Sequence, residues 1–382
     1  MPDPQPSAGV IRGEELRHQF LPAIIPGISQ MQRKHKPKYP LHWMDPAFPE
    51  VYRPVALGSY HYWKTEDFEL MNPEMTFFGD SGGFSLVTVG ASLCPEAVIR
   101  WQVDQCTRGA ILDVPPYRMA ANKVLMGSAA DHWEDSLNRT LSNVRRALPI
   151  YLEARKAGTP FRWWGVIQGE TWDQLNEWHG RVSEIYPFTD EGEGWAFKPH
   201  PTNNVVVLAR LFRFVREHGI KRAHFLQTTG ARAAGVLLGL AQLTRSLELT
   251  TYDSASASQY GANRHCWVLG DEGMKVVGHR PRPFNAEYFL SAKCDCPACR
   301  WFAEERETEL GDVLLPDRLI QHNHEMLFRL FDNIWSAAQA DPERVVAKFS
   351  RDDHGKVMRE LEGVAVQKTA ARTQSIFDLL GG

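Results

Sequence analysis

The chain has 382 residues, 43% of them hydrophobic and 23% charged, enough to bury one large barrel or two smaller cores and too apolar for a disordered chain. A net charge of −3 excludes a generally basic nucleic-acid binder but leaves local patches open: RKHKPK (33–38), RR with a nearby RK (145–156) and GHRPRP (278–283), each of which alone reads as a solvated face. The first residues, MPDPQPSAGVIR, lack an apolar h-region and the longest apolar run, AAGVLLGLAQL (233–243), is too short to span a bilayer, so neither a signal peptide nor a membrane partner is expected.

Residues 1–50 read as an N-terminal extension. Short β-rich runs then alternate with amphipathic helices. PVALGSY (54–60) and MTFFGD (75–80) read as strands, PEAVIRWQVDQC (95–106) as a helix and GAILDV (109–114) as a strand. A long helix at 131–158 precedes the strand RWWGVIQG (162–169). The helix WDQLNEWHGRVSEIY (172–186), the strand GWAFKP (194–199) and the helix at 204–219 follow. RAHFLQT (222–228), a helix at 231–246 and LELTTYD (247–253) complete the series. Seven strands joined by helices suit a (β/α)8 TIM-type barrel over 51–265 with one strand unassigned. HCWVLGDEGMKVVGH (265–279) reads as a β-hairpin opening a subdomain at 266–330, and 331–382 reads as a C-terminal helical segment, the helical pattern running from about 317 to 378. No G-x-G-x-x-G or P-loop run follows any strand, so no nucleotide cofactor is expected.

Asp80, Asp113, Gln168 and Asp253 each fall at or beside the C-terminal end of a predicted strand. In a barrel those ends share the face where active sites are built. An Asp there commonly caps the next helix instead, but two of the four are flanked by glycines (GDSGG, IQGE) that allow close backbone approach. Paired carboxylates suit chemistry at a sugar carbon, one attacking C1′ and the other moving protons. The alternative reading of GDSGG as a serine-protease motif fails, because the serine would come late in a two-barrel β chain with its His and Asp upstream.

Cys294, Cys296 and Cys299 form C-x-C-x2-C, and LIQHNHEML supplies His322 or His324. Three thiolates and one imidazole close a tetrahedral zinc site with no open position, so a structural zinc is expected, with His322 preferred and His324 its rival. Clustered thiols in a chain of this length point to a reducing compartment, hence a cytoplasmic protein. Cys94, Cys106 and Cys266 read as buried small hydrophobes.

Together these residues resemble the tRNA-guanine transglycosylases over roughly 55–330. LGSYH (57–61) is similar to the family's LGNTYH, DSGGF (80–84) to DSGGFQ, LDVPP (112–116) to LDIPT, GVIQG (165–169) to GIIQG and YDSAS (252–256) to FDSA. CDCPAC with His322-Asn323 matches the zinc ligands. The resemblance implies that Asp253 is the nucleophile at C1′ and Asp80 the general acid/base. It implies that Asp113, Gln168 and backbone groups at Ser81, Gly82 and Gly169 read the purine edge, and that Phe84 stacks on the base.

The chain departs from the family pattern in several places. Ser85 replaces the Gln after DSGGF, Lys198-Pro199 replaces a Gly-Gly pair, LQTTG (226–230) replaces an MG-type run, and SASASQYGANRH (254–265) replaces a tRNA-contacting segment. No RNA-binding domain of the archaeal kind is recognised after 330. These departures look like the divergent branch that inserts 7-deazaguanines into DNA. DNA is therefore the favoured partner, with a preQ0-like base incoming and tRNA as the alternative substrate. A non-catalytic nucleic-acid-binding subunit and an unrelated barrel glycosidase are the rival readings. A homodimer is left open.

Overall fold

The computed structural model describes residues 18–24, 42–63, 68, 71–88, 90–120, 123–126, 130–198, 204–226, 230–263, 266–270, 273–277, 294–300 and 311–363. Strands β1 (His18–Pro22), β2 (Val55–Ser59), β3 (Thr76–Asp80) and β4 (Arg108–Ala110) come first in the chain. An antiparallel hairpin of β5 (Tyr117–Ala120) and β6 (Lys123–Met126) follows. Then come β7 (Arg162–Ile167), β8 (Gly194–Phe197), β9 (Arg222–Phe225) and β10 (Leu249–Ser254). Leaving out the hairpin, these strands form one eight-stranded parallel sheet in the order β1-β10-β9-β8-β7-β4-β3-β2. Its edges meet where Ala23 bridges Leu57 and the Ile24 N–H donates to the Leu57 carbonyl at 2.9 Å. The result is a nearly closed TIM-like barrel.

Helices separate most of the strands. α1 (Gly83–Thr88) and α2 (Pro95–Gln105) follow β3, and α3 (Ala130–Lys156) follows the hairpin. α4 (Trp172–Ser183), α5 (Val205–Glu217), α6 (Ala231–Thr244) and α7 (Ser256–Ala262) follow β7, β8, β9 and β10 in turn. Strands covered on both faces need continuous apolar runs, and Trp163, Trp164, Val166 and Ile167 of β7 are all buried. A capping box fixes the start of α4: the Gln174 N–H donates to the Thr171 hydroxyl, and the Gln174 side chain accepts from the Thr171 N–H.

The eighth strand, β1, lies inside the segment read from sequence as an N-terminal extension, so the barrel begins before residue 51. HQFLP is too short to show a period, and its packing is long-range: Phe20 meets Phe328 and Phe331 at ring distances of 5.5 and 4.8 Å. Those partners belong to α8 (Gly311–Ala340), which runs unbroken across the expected boundary at 330. The hairpin expected at 265–279 is present as β11 (Cys266–Gly270) and β12 (Gly273–Val277), antiparallel with Cys266 opposite Val277. The strand expected over 109–114 is regular only to Ala110. Beyond α8 come α9 (Pro342–Ser350) and α10 (His354–Glu362), and residues 364–382 lie outside the described set.

The long apolar run in α6 is explained by burial on several sides, because the helix packs against α5, α8 and α9. At Gly235 a Cβ would stand 2.2 Å from the Phe349 ring, so a larger residue would push α9 away. No helix among the described residues is long and apolar enough to cross a membrane.

Candidate active site and metal centre

Parallel strands deliver their last residues to one end of the barrel, and the polar residues singled out in the sequence converge there. Asp80 ends β3, opposite Ser59 of β2. Two residues later the chain turns at Gly82, whose φ of +81° suits glycine, and the Gly82 N–H donates back to Asp80 Oδ2 at 3.2 Å. Ser81 is buried, and its hydroxyl accepts from the Gly83 N–H at 3.4 Å. At Gly83 a Cβ would lie 2.5 Å from the Asp113 carbonyl oxygen and 2.8 Å from Asp113 Oδ1. The glycine pair therefore lets α1 start against Asp113, with half-exposed Phe84 in its first turn.

Asp113 lies three residues past β4, and the Gln168 amide, just past β7, donates to Asp113 Oδ2 at 2.6 Å. Both side chains are buried. Gly169 follows on the turn into α4. Asp253 sits in β10 with 5% of its surface exposed. Its neighbour on β9 is His224, fully buried, whose Nε2 lies 3.3 Å from Asp253 Oδ1 without the alignment of a hydrogen bond. The other ring nitrogen, Nδ1, lies 2.8 Å from Thr251 Oγ1, and the ring stacks on Phe78 at 4.7 Å. Lys198, just past β8, is 8% exposed, and its Nζ stands 4.2 Å from the centre of the Phe84 ring.

These groups perturb one another. Burial pushes the Asp80 carboxyl above the usual carboxylate value and the Asp253 charge adds to this, while the Ser59 hydroxyl and Gly82 N–H favour the ionised form. Burial also raises Asp113, to about 6, with the Gln168 bond opposing it. Burial lowers Lys198 to about 8, against the pull of Asp113, Asp80 and Asp253. Carboxylates gathered at one mouth, with burial raising Asp80 and Asp113, can supply a proton carrier.

The cysteine cluster also assembles. The Cys294, Cys296 and Cys299 sulfurs lie 3.7, 3.4 and 3.3 Å from His322 Nδ1, and the four donor atoms fall within 4.8 Å of one another. A tetrahedral zinc with bonds of about 2.3 Å to sulfur and about 2.0 Å to nitrogen holds those atoms about 3.5 Å apart, so the set can hold a metal ion such as zinc. His322 Nε2 lies 2.7 Å from the Trp267 carbonyl of β11. Donation there leaves the Nδ1 lone pair facing the thiols. His324 is not part of the cluster. It is buried against Trp43, with its ring nitrogens 2.9 Å from the Ile320 carbonyl and 3.4 Å from the Ser258 hydroxyl. Cys106 and Cys266 are buried as expected, whereas Cys94 is exposed and its thiol donates to Glu96 at 3.0 Å.

Sequence reading missed His224 entirely and met Lys198 only as a departure from a pattern. Neither carries a local signal: a lone His in an apolar strand and a Lys before Pro acquire meaning only from what the barrel brings beside them. A scan against models of known protein families gave no match, and a search of curated proteins gave none either.

Proposed function

We propose that this protein is a guanine transglycosylase acting on nucleic acid, DNA in preference to tRNA, that replaces guanine with a 7-deazaguanine of the preQ0 type. The observation that carries the proposal is a pair of carboxylates, part-buried Asp80 on β3 and buried Asp253 on β10, at one barrel mouth beside the Asp113–Gln168 pair.

Each step balances. An Asp253 oxygen attacks C1′ of the target nucleoside, the C1′–N9 bond breaks, and protonated Asp80 gives its proton to the departing guanine. The incoming base then loses its N9 proton to Asp80, its nitrogen attacks C1′, and Asp253 leaves. Two displacements retain configuration, and exchanging one N-glycosidic bond for another requires no nucleoside triphosphate. His224 stands beside Asp253, its Nε2 3.3 Å from one carboxylate oxygen, and would position that carboxylate once the two align. Without a base, the Gln168 amide satisfies the Asp113 carboxylate. A guanine offers N1–H and N2–H donors in its place, and a 7-deazaguanine offers the same two, so one pocket serves both bases.

The preference for DNA rests on the segment after the proposed nucleophile, where SASASQYGANRH (254–265) stands in place of the tRNA-contacting run of the family it resembles. The metal that the cysteine cluster could hold is proposed to be a structural zinc: four protein ligands would leave no position for substrate. A cytoplasmic location is proposed with it, because thiolates stay reduced there. Incubation with labelled guanine and either duplex DNA or bulk tRNA tests the reading. Label should be retained in DNA. Label in tRNA alone would reassign the acceptor, and label in neither would defeat the enzyme reading.

A further inference from the structure

Helix α10 is the last described element of the chain, yet it reaches the turn after β7 through α5. The helix buries Val357, Glu360 and Leu361, so one acid stands in an otherwise apolar stripe. Glu360 is 9% exposed, and a carboxylate so buried is costly unless it is paired. Its partner is Arg210 of α5, which donates from Nε to Oε1 at 2.8 Å and from Nη2 to Oε2 at 3.2 Å. The third arm of that planar fork, Nη1, donates to the Glu170 carbonyl. One turn further along α5, the Arg213 guanidinium lies 4.2 Å over the Trp172 ring, and a Cβ at Gly363, just past α10, would stand 3.0 Å from its Cζ. Arg216 continues the row by donating to the Leu361 carbonyl at 2.8 Å. Arg210 and Arg213 thus each meet α10 or its end on one side and the β7–α4 turn on the other.

That turn carries Gln168 and Gly169. Its two N–H groups at Glu170 and Thr171 donate to Gln174 Oε1 at 3.0 and 3.2 Å, and its Glu170 carbonyl goes to Arg210. We propose that Glu360 is a positioning residue for the Asp113–Gln168 pair: it aims Arg210 at the Glu170 carbonyl, and the turn so held presents the Gln168 amide to Asp113 at 2.6 Å. The link from Glu360 to the turn stands on its own, and its effect on base binding rests on the guanine-exchange reading. Without the carboxylate, Arg210 loses the two charge-assisted bonds that fix its plane, and its flexible stem no longer holds the third bond in line. A base that must meet both Asp113 and Gln168 is sensitive to small displacements of either.

The test compares full-length wild type with Glu360→Gln, which keeps the side chain's size and removes its charge, and with Asp353→Asn. Asp353 pairs with Arg232 of α6 at 2.7 Å, so its variant loosens the docking of the same C-terminal helices away from the β7–α4 turn. Amide hydrogen exchange in peptides covering Gln168 to Thr171 should quicken about tenfold in Glu360→Gln and keep the wild-type rate in Asp353→Asn. KM for guanine should rise about tenfold in Glu360→Gln, with kcat and KM for DNA within about twofold of wild type. An unchanged turn in Glu360→Gln, or equal quickening in both variants, would overturn the positioning role, as would a quickened turn with an unchanged KM for guanine. Failure of wild type to transfer any base to DNA or tRNA would instead sink the exchange reading. Hydrogen exchange would then still decide whether Glu360 holds the turn.

Discussion

Asp113→Asn should stabilise the protein at neutral pH while impairing its activity. The Asp113 carboxyl is held at about 6 in the folded chain instead of the ordinary 3.8, chiefly by burial. Below both values it is protonated folded and unfolded, and Asn, nearly its isostere, differs little. As pH rises through this interval the unfolded chain releases its proton and the folded chain keeps it. The folded state then binds more protons, so wild-type stability falls with rising pH. At about 1.4 kcal/mol per tenfold in proton affinity, the interval from 3.8 to about 6 corresponds to about 3 kcal/mol at pH 7. Asn retains an acceptor for the Gln168 amide, which now donates to Asp113 at 2.6 Å. Urea unfolding of both proteins near pH 4, 5.5 and 7 should show the variant gaining about 3 kcal/mol on wild type across the series. A stability difference that does not change with pH, or one that moves against the variant, would refute the account of a buried carboxylate of raised proton affinity. Base exchange should fall on the order of 10²-fold, since Asn cannot accept both purine donors as a carboxylate does.

Other outcomes follow from contacts already described. Gly83→Ala places a methyl 2.5 Å from the Asp113 carbonyl, so it should cost about 1 to 3 kcal/mol by thermal melting and depress exchange, because the carboxylate must move. His224→Phe keeps the stack on Phe78 and removes the nitrogen 3.3 Å from Asp253. Its kcat should drop on the order of 10²-fold with little change in KM for DNA, whereas a KM effect alone would show that His224 only shapes the pocket. Chelation, or Cys296→Ala, should remove one zinc per chain and lower the melting temperature of the whole barrel, because α8 carries both His322 and the Phe328 and Phe331 contacts to β1. A barrel that melts unchanged after verified zinc loss would show that the two parts are uncoupled.

The sequence made legible what period and chemistry write locally. Trp163 to Ile167 reads as a buried strand and forms one. Asp80, Asp113, Gln168 and Asp253 fall at predicted strand ends, and the barrel gathers them at one mouth. Cys294, Cys296 and Cys299 announce their cluster by spacing, and the preference for His322 over His324 holds: both lie on α8, but only His322 meets the thiols and the Trp267 carbonyl. What stayed hidden depends on distant partners. β1 is five residues whose burial comes from α8 more than 300 positions later. The β5–β6 hairpin showed no turn signal strong enough to be read. Lys198 and His224 matter through Phe84 and Asp253, which are far from them in the chain.

The most direct test of the central claim is to incubate the protein with duplex DNA, with no incoming base, and look for a covalent complex on a denaturing gel, with mass spectrometry to locate the linkage. The account predicts a complex with the deoxyribose C1′ esterified to Asp253, discharged on adding a 7-deazaguanine and missing from Asp253→Ala. Base exchange that proceeds equally well in Asp253→Ala, with no complex in either protein, would contradict it.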